Sequence, residues 1–185
     1  IGHGLGAEPN MIIVKNLSTT DNWTVQTSDL TYTNYIDLNS TNAASSNSSV
    51  WYAQPTSNVF SFGANPRGNG SGNSIIAYCF TSISGYSKVG SYTGNGSVTG
   101  PIITTGFQTN FVLIKRTDGT SNWNIYDTAR DASNPSGPPL YPNLTNIQAG
   151  SQAVNFLSTG FQPAYAGGDI NENNGNYIYL AIKQN

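Results

Sequence analysis

The chain has 185 residues, of which only 7 are basic and 9 acidic, with one Cys, one His and a formal net charge of −2. So few cations leave no electrostatic footprint for nucleic acid. A single Cys excludes an internal disulfide framework and a Cys-based zinc site, and no apolar run reaches the ~18 residues that would span a bilayer as a helix.

The place of charge is taken by 24 Asn, 21 Ser, 19 Thr and 20 Gly. These residues are small and uncharged, and aromatics stand at 11%, so the composition is that of a folded chain rather than a disordered one. A near-neutral surface of amides and hydroxyls suits an extracellular or assembly-bound protein.

Short β-branched and aromatic runs succeed one another along the chain. Residues 11–14, 23–26, 59–62, 75–80, 86–93, 111–114, 123–126 and 177–182 each predict a strand, bounded by Gly, Asn, Asp or Pro. Asn69-Gly70, Asn95-Gly96, Asp118-Gly119 and Asn174-Gly175 are turn dipeptides. No segment carries apolar positions three and four apart over the ten or more residues a helix needs. The predicted fold is all-β, an antiparallel β-sandwich or jelly roll.

The chain also repeats itself. Asn10-Met11-Ile12-Ile13-Val14-Lys15 recurs 100 residues later as Asn110-Phe111-Val112-Leu113-Ile114-Lys115, and the offset holds from Asn22-Trp23 to Asn122-Trp123. It then drifts: Phe60 answers Phe161, and residues 76–80 answer 178–182. Two sequence-related units follow, 1–84 and 85–185, either two domains or two halves of one sandwich. The second unit is led in by the strand at 86–93, whereas the first starts at Ile1 with no counterpart. The expectation is a longer polypeptide, or a strand supplied beside residues 11–14 by another subunit.

Chemistry-bearing residues are sparse. His3 lies between Gly2 and Gly4 in a terminal loop, where an imidazole lacks the partners that triads and metal sites need. Cys79 sits in the most apolar strand and matches Ala181 of the second unit, which favours packing over nucleophilic chemistry. Of the acids Glu8, Asp21, Asp29, Asp37, Asp118, Asp127, Asp131, Asp169 and Glu172, Asp21 is matched by Ser121, and Asp29 approaches Asp127 or Asp131 only in a loop of turn-forming residues, so a glycosidase pair is unsupported. Oxygen ligands alternate at Asp169, Asn171 and Asn173 as in a calcium loop, but the twelfth position is Leu180, without a bidentate acid. That loop and its counterpart at 65–73 read as flexible connections.

No catalytic, cofactor-binding or metal residue is expected. Trp23 and Trp123 match each other and read as core, whereas Trp51 and Tyr52 lie in an irregular Ser/Asn-rich stretch and are the candidate glycan or surface contact.

Residues 3–15, 85–96 and 106–118, with Asn122-Trp123-Asn124-Ile125-Tyr126-Asp127, resemble repeat modules of structural proteins of marine bacteriophages and cyanophages. The resemblance spans nearly the whole chain and implies a sandwich of the laminin-G/concanavalin kind. It implies a non-enzymatic virion surface protein: a tail or head fibre, an adhesin or a capsid decoration. Its expected partners are other virion proteins, copies of itself and host surface glycans, with no nucleic acid and no membrane insertion. The alternative is a carbohydrate-binding module of a larger depolymerase. The resemblance carries over no catalytic residue.

Overall fold

The computed structural model describes residues 1–183. In chain order the strands are β1 (Met11–Asn16), β2 (Thr24–Thr27), β3 (Asn34–Asp37), β4 (Ser45–Ser46), β5 (Trp51–Ala53) and β6 (Ser61–Phe62). After the one-turn helix α1 (Pro66–Asn69) come β7 (Ile75–Phe80), β8 (Ser87–Thr93), β9 (Ile103–Thr104), β10 (Phe111–Arg116) and β11 (Trp123–Asp127). The last are β12 (Val154–Leu157), β13 (Gly160–Pro163) and β14 (Asn176–Ile182).

These strands form two principal antiparallel sheets, ordered β4-β3-β2-β1-β7 and β11-β10-β14-β8, and two smaller ones, β12-β13-β9 and β5-β6. The fold is an all-β sandwich.

Side-chain alternation sorts the sheets into four layers. Met11, Ile13 and Val25 of the first sheet meet Leu113, Trp123, Ile178, Leu180 and Val89 of the second in one central core. Ile12 and Val14 point the other way, onto Val50, Trp51 and Phe60 beneath the β5–β6 hairpin. Val112 and Ile114 do likewise, onto Val154, Phe156 and Phe161 beneath β12 and β13. With both faces covered, the first four positions of β1 and of β10 are apolar in succession rather than alternately, which is why they read as Met-Ile-Ile-Val and Phe-Val-Leu-Ile. Burying each such aliphatic side chain contributes about 1.5–3 kcal/mol.

The two principal sheets use the same pairings at the same offsets. Ile13 opposes Val25 and Tyr78, while Leu113 opposes Ile125 and Leu180. Both sheets carry a bulge-like contact at the same place, where Asn10 N–H donates to the Phe80 carbonyl and Asn110 N–H to that of Ile182. Polar links join the layers: Trp123 Nε1–H donates to the Asp37 carbonyl at 2.9 Å, Ser121 N–H to Thr41 and Ala44 N–H to Thr117.

Three expectations change. First, the position without a counterpart is not beside β1, which β2 and β7 enclose, but along the far side of β7, since β8 covers the equivalent side of β14. Second, the loop at 65–73 contains α1, nucleated because Asn65 Oδ1 accepts from Arg67 N–H and Pro66 opens the turn. Arg67 is held there by Asp37 at 2.6 Å and by the Tyr35 ring. Third, the loop at 167–174 is anchored: Ile170 and Asn171 are fully buried, and Asn171 Nδ2–H bonds reach Asn95 Oδ1 and the Ser97 carbonyl.

Candidate functional site

Trp51 and Tyr52 are separated by the strand they share. Period-two alternation turns Trp51 inward, stacked on Phe62 at 4.5 Å and tilted against Phe60 at 6.3 Å, and leaves it 1% exposed. Its predicted role as a surface contact is therefore corrected: the ring is the centre of the outer core, and a ligand cannot stack on it without opening the β5–β6 hairpin. Tyr52 points outward and is 72% exposed. Trp123 is fully buried and Trp23 stacks on Tyr78, both at the central core.

The residues best arranged to hold a polar ligand were not singled out in the sequence. A cavity of about 230 Å³ lies where the segment before β1, the β2–β3 turn and the end of β5 converge. Glu8, Gln26, Ser28, Thr31, Tyr32 and Gln54 contribute to its walls. Glu8 Oε1 accepts from Gln54 Nε2 at 3.0 Å. Gln26 is 3% exposed; its Nε2 donates to the Thr27 carbonyl at 2.8 Å, but its Oε1 has no hydrogen-bond partner among the described residues. A buried acceptor left unpaired costs about 1–3 kcal/mol. A carboxylate, two amides, hydroxyls and a half-exposed tyrosine together offer both donors and acceptors beside an aromatic ring, the set a polyhydroxyl ligand uses.

The nine acids are spoken for within the fold. Asp37 accepts from Arg67 and Asn22, Asp118 from Arg116 and Asn176, Asp127 from Arg130, and Asp131 from the Ser133 and Gly137 amides. Asp21 accepts from Thr19 and Asp29 from Ser91. Asp169, the first oxygen of the calcium-like loop, accepts from the Asn122 amide and Nδ2 and from Gln152 Nε2, so its oxygens face N–H donors. Glu172 lies 4.0 Å from Arg116. No group of three or more His, Cys, Asp or Glu residues placed to hold a metal occurs among the described residues.

His3 and Cys79 do line one cavity, but not as a catalytic pair. His3 Nδ1 accepts from the Leu5 amide and Nε2 sits 3.0 Å from the Thr56 carbonyl, so both ring nitrogens are engaged by backbone. Burial pushes the Cys79 thiol up, opposite to what a reactive thiolate needs.

Lys115 is fully buried, donating to the Thr41 carbonyl and Ser121 Oγ. Its ammonium is lowered to about 8, chiefly because burial removes water from the charged form, while Asp169 pulls it back up. The matching Lys15 likewise donates to loop carbonyls, of Thr19 and Asp21. Lys15 thus braces β1 against its own loop, whereas Lys115 ties β10 both to its own loop at Ser121 and to Thr41 between β3 and β4.

A paired amide signature also escaped the sequence reading. Asn39 Oδ1 accepts from the Trp23 amide while its Nδ2 donates to Asn22 Oδ1, and Asn143 repeats both bonds with Trp123 and Asn122. The signal is the recurrence of Asn-Trp followed by an Asn 16 residues after the Trp in one unit and 20 in the other.

Neither the curated proteins nor the solved structures provide a significant match. A family model described as a domain of unknown function, DUF7483, matches residues 1–185, and the chain belongs to that family.

Proposed function

We propose that this chain is a non-enzymatic surface module of a phage virion, a fibre, adhesin or capsid decoration that assembles with other virion proteins and copies of itself. The observation that carries the reading is the state of its acids. Eight of the nine accept hydrogen bonds inside the fold and the ninth lies 4.0 Å from Arg116, so each has a partner that fixes it in the architecture. The sparsely charged surface and the resemblance to phage repeat modules support the same role. Its two units, 1–84 and 85–185, serve as paired building blocks of the particle.

Mass spectrometry of purified particles tests it: the chain is expected as a stoichiometric virion component. Its presence in the lysate but absence from particles would contradict the proposal, as would release of reducing ends from host-envelope polysaccharide by the purified protein.

A second reading, a carbohydrate-binding module of a larger depolymerase, is favoured by the polar cavity that Glu8, Gln26, Gln54 and Tyr32 line. It predicts glycan-array binding that falls at least fivefold in Gln26→Leu and Tyr32→Ala variants. No glycan binding by the wild-type chain would remove it.

A further inference from the structure

The second principal sheet is closed at one edge by β8, whose residues Tyr92, Gly90 and Lys88 oppose Tyr177, Tyr179 and Ala181 of β14. From there the Tyr92 ring fills a socket on the outer face. It stacks on Tyr177 at 4.9 Å, meets Phe161 edge-on at 6.2 Å and donates its hydroxyl to the Ile170 carbonyl at 2.6 Å.

The first sheet has the same socket without the strand. Register equates Ile75, Ala77 and Cys79 of β7 with Tyr177, Tyr179 and Ala181, and Phe60, bonded to Ile1 as Phe161 pairs with Ile103, stands where Phe161 does. Those four residues, with Ile1 and His3 nearby, line a cavity of about 310 Å³ in the place where Tyr92 stands in the other sheet. No described strand pairs with β7 on that side.

The backbone is also poised. Leu17 N–H donates to the Ser74 carbonyl, so in an antiparallel ladder the even-numbered residues of β7 bond to β1, and Ile75, Ala77 and Cys79 turn their N–H and C=O groups outward. Ile1 does not fill the gap: it exchanges hydrogen bonds with Phe60, the position that β9 takes beside Phe161.

We propose that the open edge of β7 and this cavity form a docking site for an extended peptide segment of β8 chemistry, lying outside residues 1–185, which adds antiparallel to β7 and seats an aromatic side chain opposite Ile75. Strand addition supplies affinity through main-chain hydrogen bonds, and the socket supplies specificity. One difference sets its selectivity. Gly90 is required in β8 because a Cβ there would stand 2.7 Å from Tyr179 Oη. Ala77 replaces that tyrosine in β7, so the docked strand accepts a side chain where β8 has glycine.

A synthetic peptide with the sequence of residues 84–96, titrated into the intact protein, tests the site with amide exchange and alkylation of Cys79 as readouts. Saturable binding is expected, slowing exchange at Ile75, Ala77 and Cys79 and alkylation of Cys79 at least tenfold, while a Tyr92→Ala peptide binds at least tenfold more weakly. A Gly90→Val peptide binds wild-type protein at least as well as the parent, and the Ala77→Tyr protein reverses that order. Absence of saturable binding by either peptide would overturn the proposal. So would protection confined to β14, or a self-associated dimer that itself shields Cys79, which would make the edge an interface between copies.

Discussion

Trp51 and Tyr52 are adjacent in sequence and opposite in consequence. Removing the Trp51 ring leaves a hole between Phe60, Phe62 and Val50, and Trp51→Ala is expected to cost about 3–5 kcal/mol in urea unfolding. Tyr52→Ala, on the solvent side, is expected to stay within about 0.5 kcal/mol. Equal costs would mean that the β5–β6 hairpin does not cover the sheet.

Lys115 makes a second residue-scale prediction, in pH. Its folded pKa of about 8 lies below the ~10.4 of an unfolded lysine, so between those values the unfolded chain binds more protons. Lys115 alone therefore makes stability rise with pH across that window, by on the order of 2 kcal/mol. The raised Cys79 thiol opposes it in part. The sign turns before pH 10: burial raises Tyr177 and Tyr179 to about 12, and Tyr92 and Tyr126 upward too, so the unfolded tyrosines ionise first. Urea midpoints should peak at about pH 9, and Lys115→Met should flatten the rising limb. A midpoint that falls steadily from pH 7.5 would show that the ammonium is not desolvated.

At the scale of elements, what the sequence discloses depends on how many faces an element buries. β1 and β10 are covered twice and announce themselves as unbroken apolar runs. β3, β5 and β12 are three or four residues long and bury only one or two side chains each, so their pattern is too brief to distinguish from a loop. The polar cavity was illegible for a related reason: Glu8, Gln26 and Gln54 become neighbours only through the sheet order and the β5–β6 hairpin, which no local spacing encodes. The short outer strands also hold the tightest backbone contact. At Gly160, where β13 meets β9, a Cβ would overlap the Ile103 carbonyl oxygen. Gly160→Ala is expected to lose about 1–3 kcal/mol by overpacking and to release the β9 segment to proteolysis. Unchanged stability and protease resistance would show that β9 does not dock there.

Over the whole molecule, the two principal sheets are built alike but finished differently. They share one central core and are laced by bonds such as Trp123 Nε1 to Asp37, so heat should unfold them together in one calorimetric transition, with no separate event for either sheet. Their difference is at the edge, closed by β8 in one and open along β7 in the other. Native-state amide exchange read strand by strand tests this most directly. The amides of Tyr177, Tyr179 and Ala181 should be protected nearly to the level of global unfolding. Those of their counterparts Ile75, Ala77 and Cys79 should exchange orders of magnitude faster, while Ile76 and Tyr78 beside them stay protected. Equal protection of the odd-numbered amides in both strands would contradict the account.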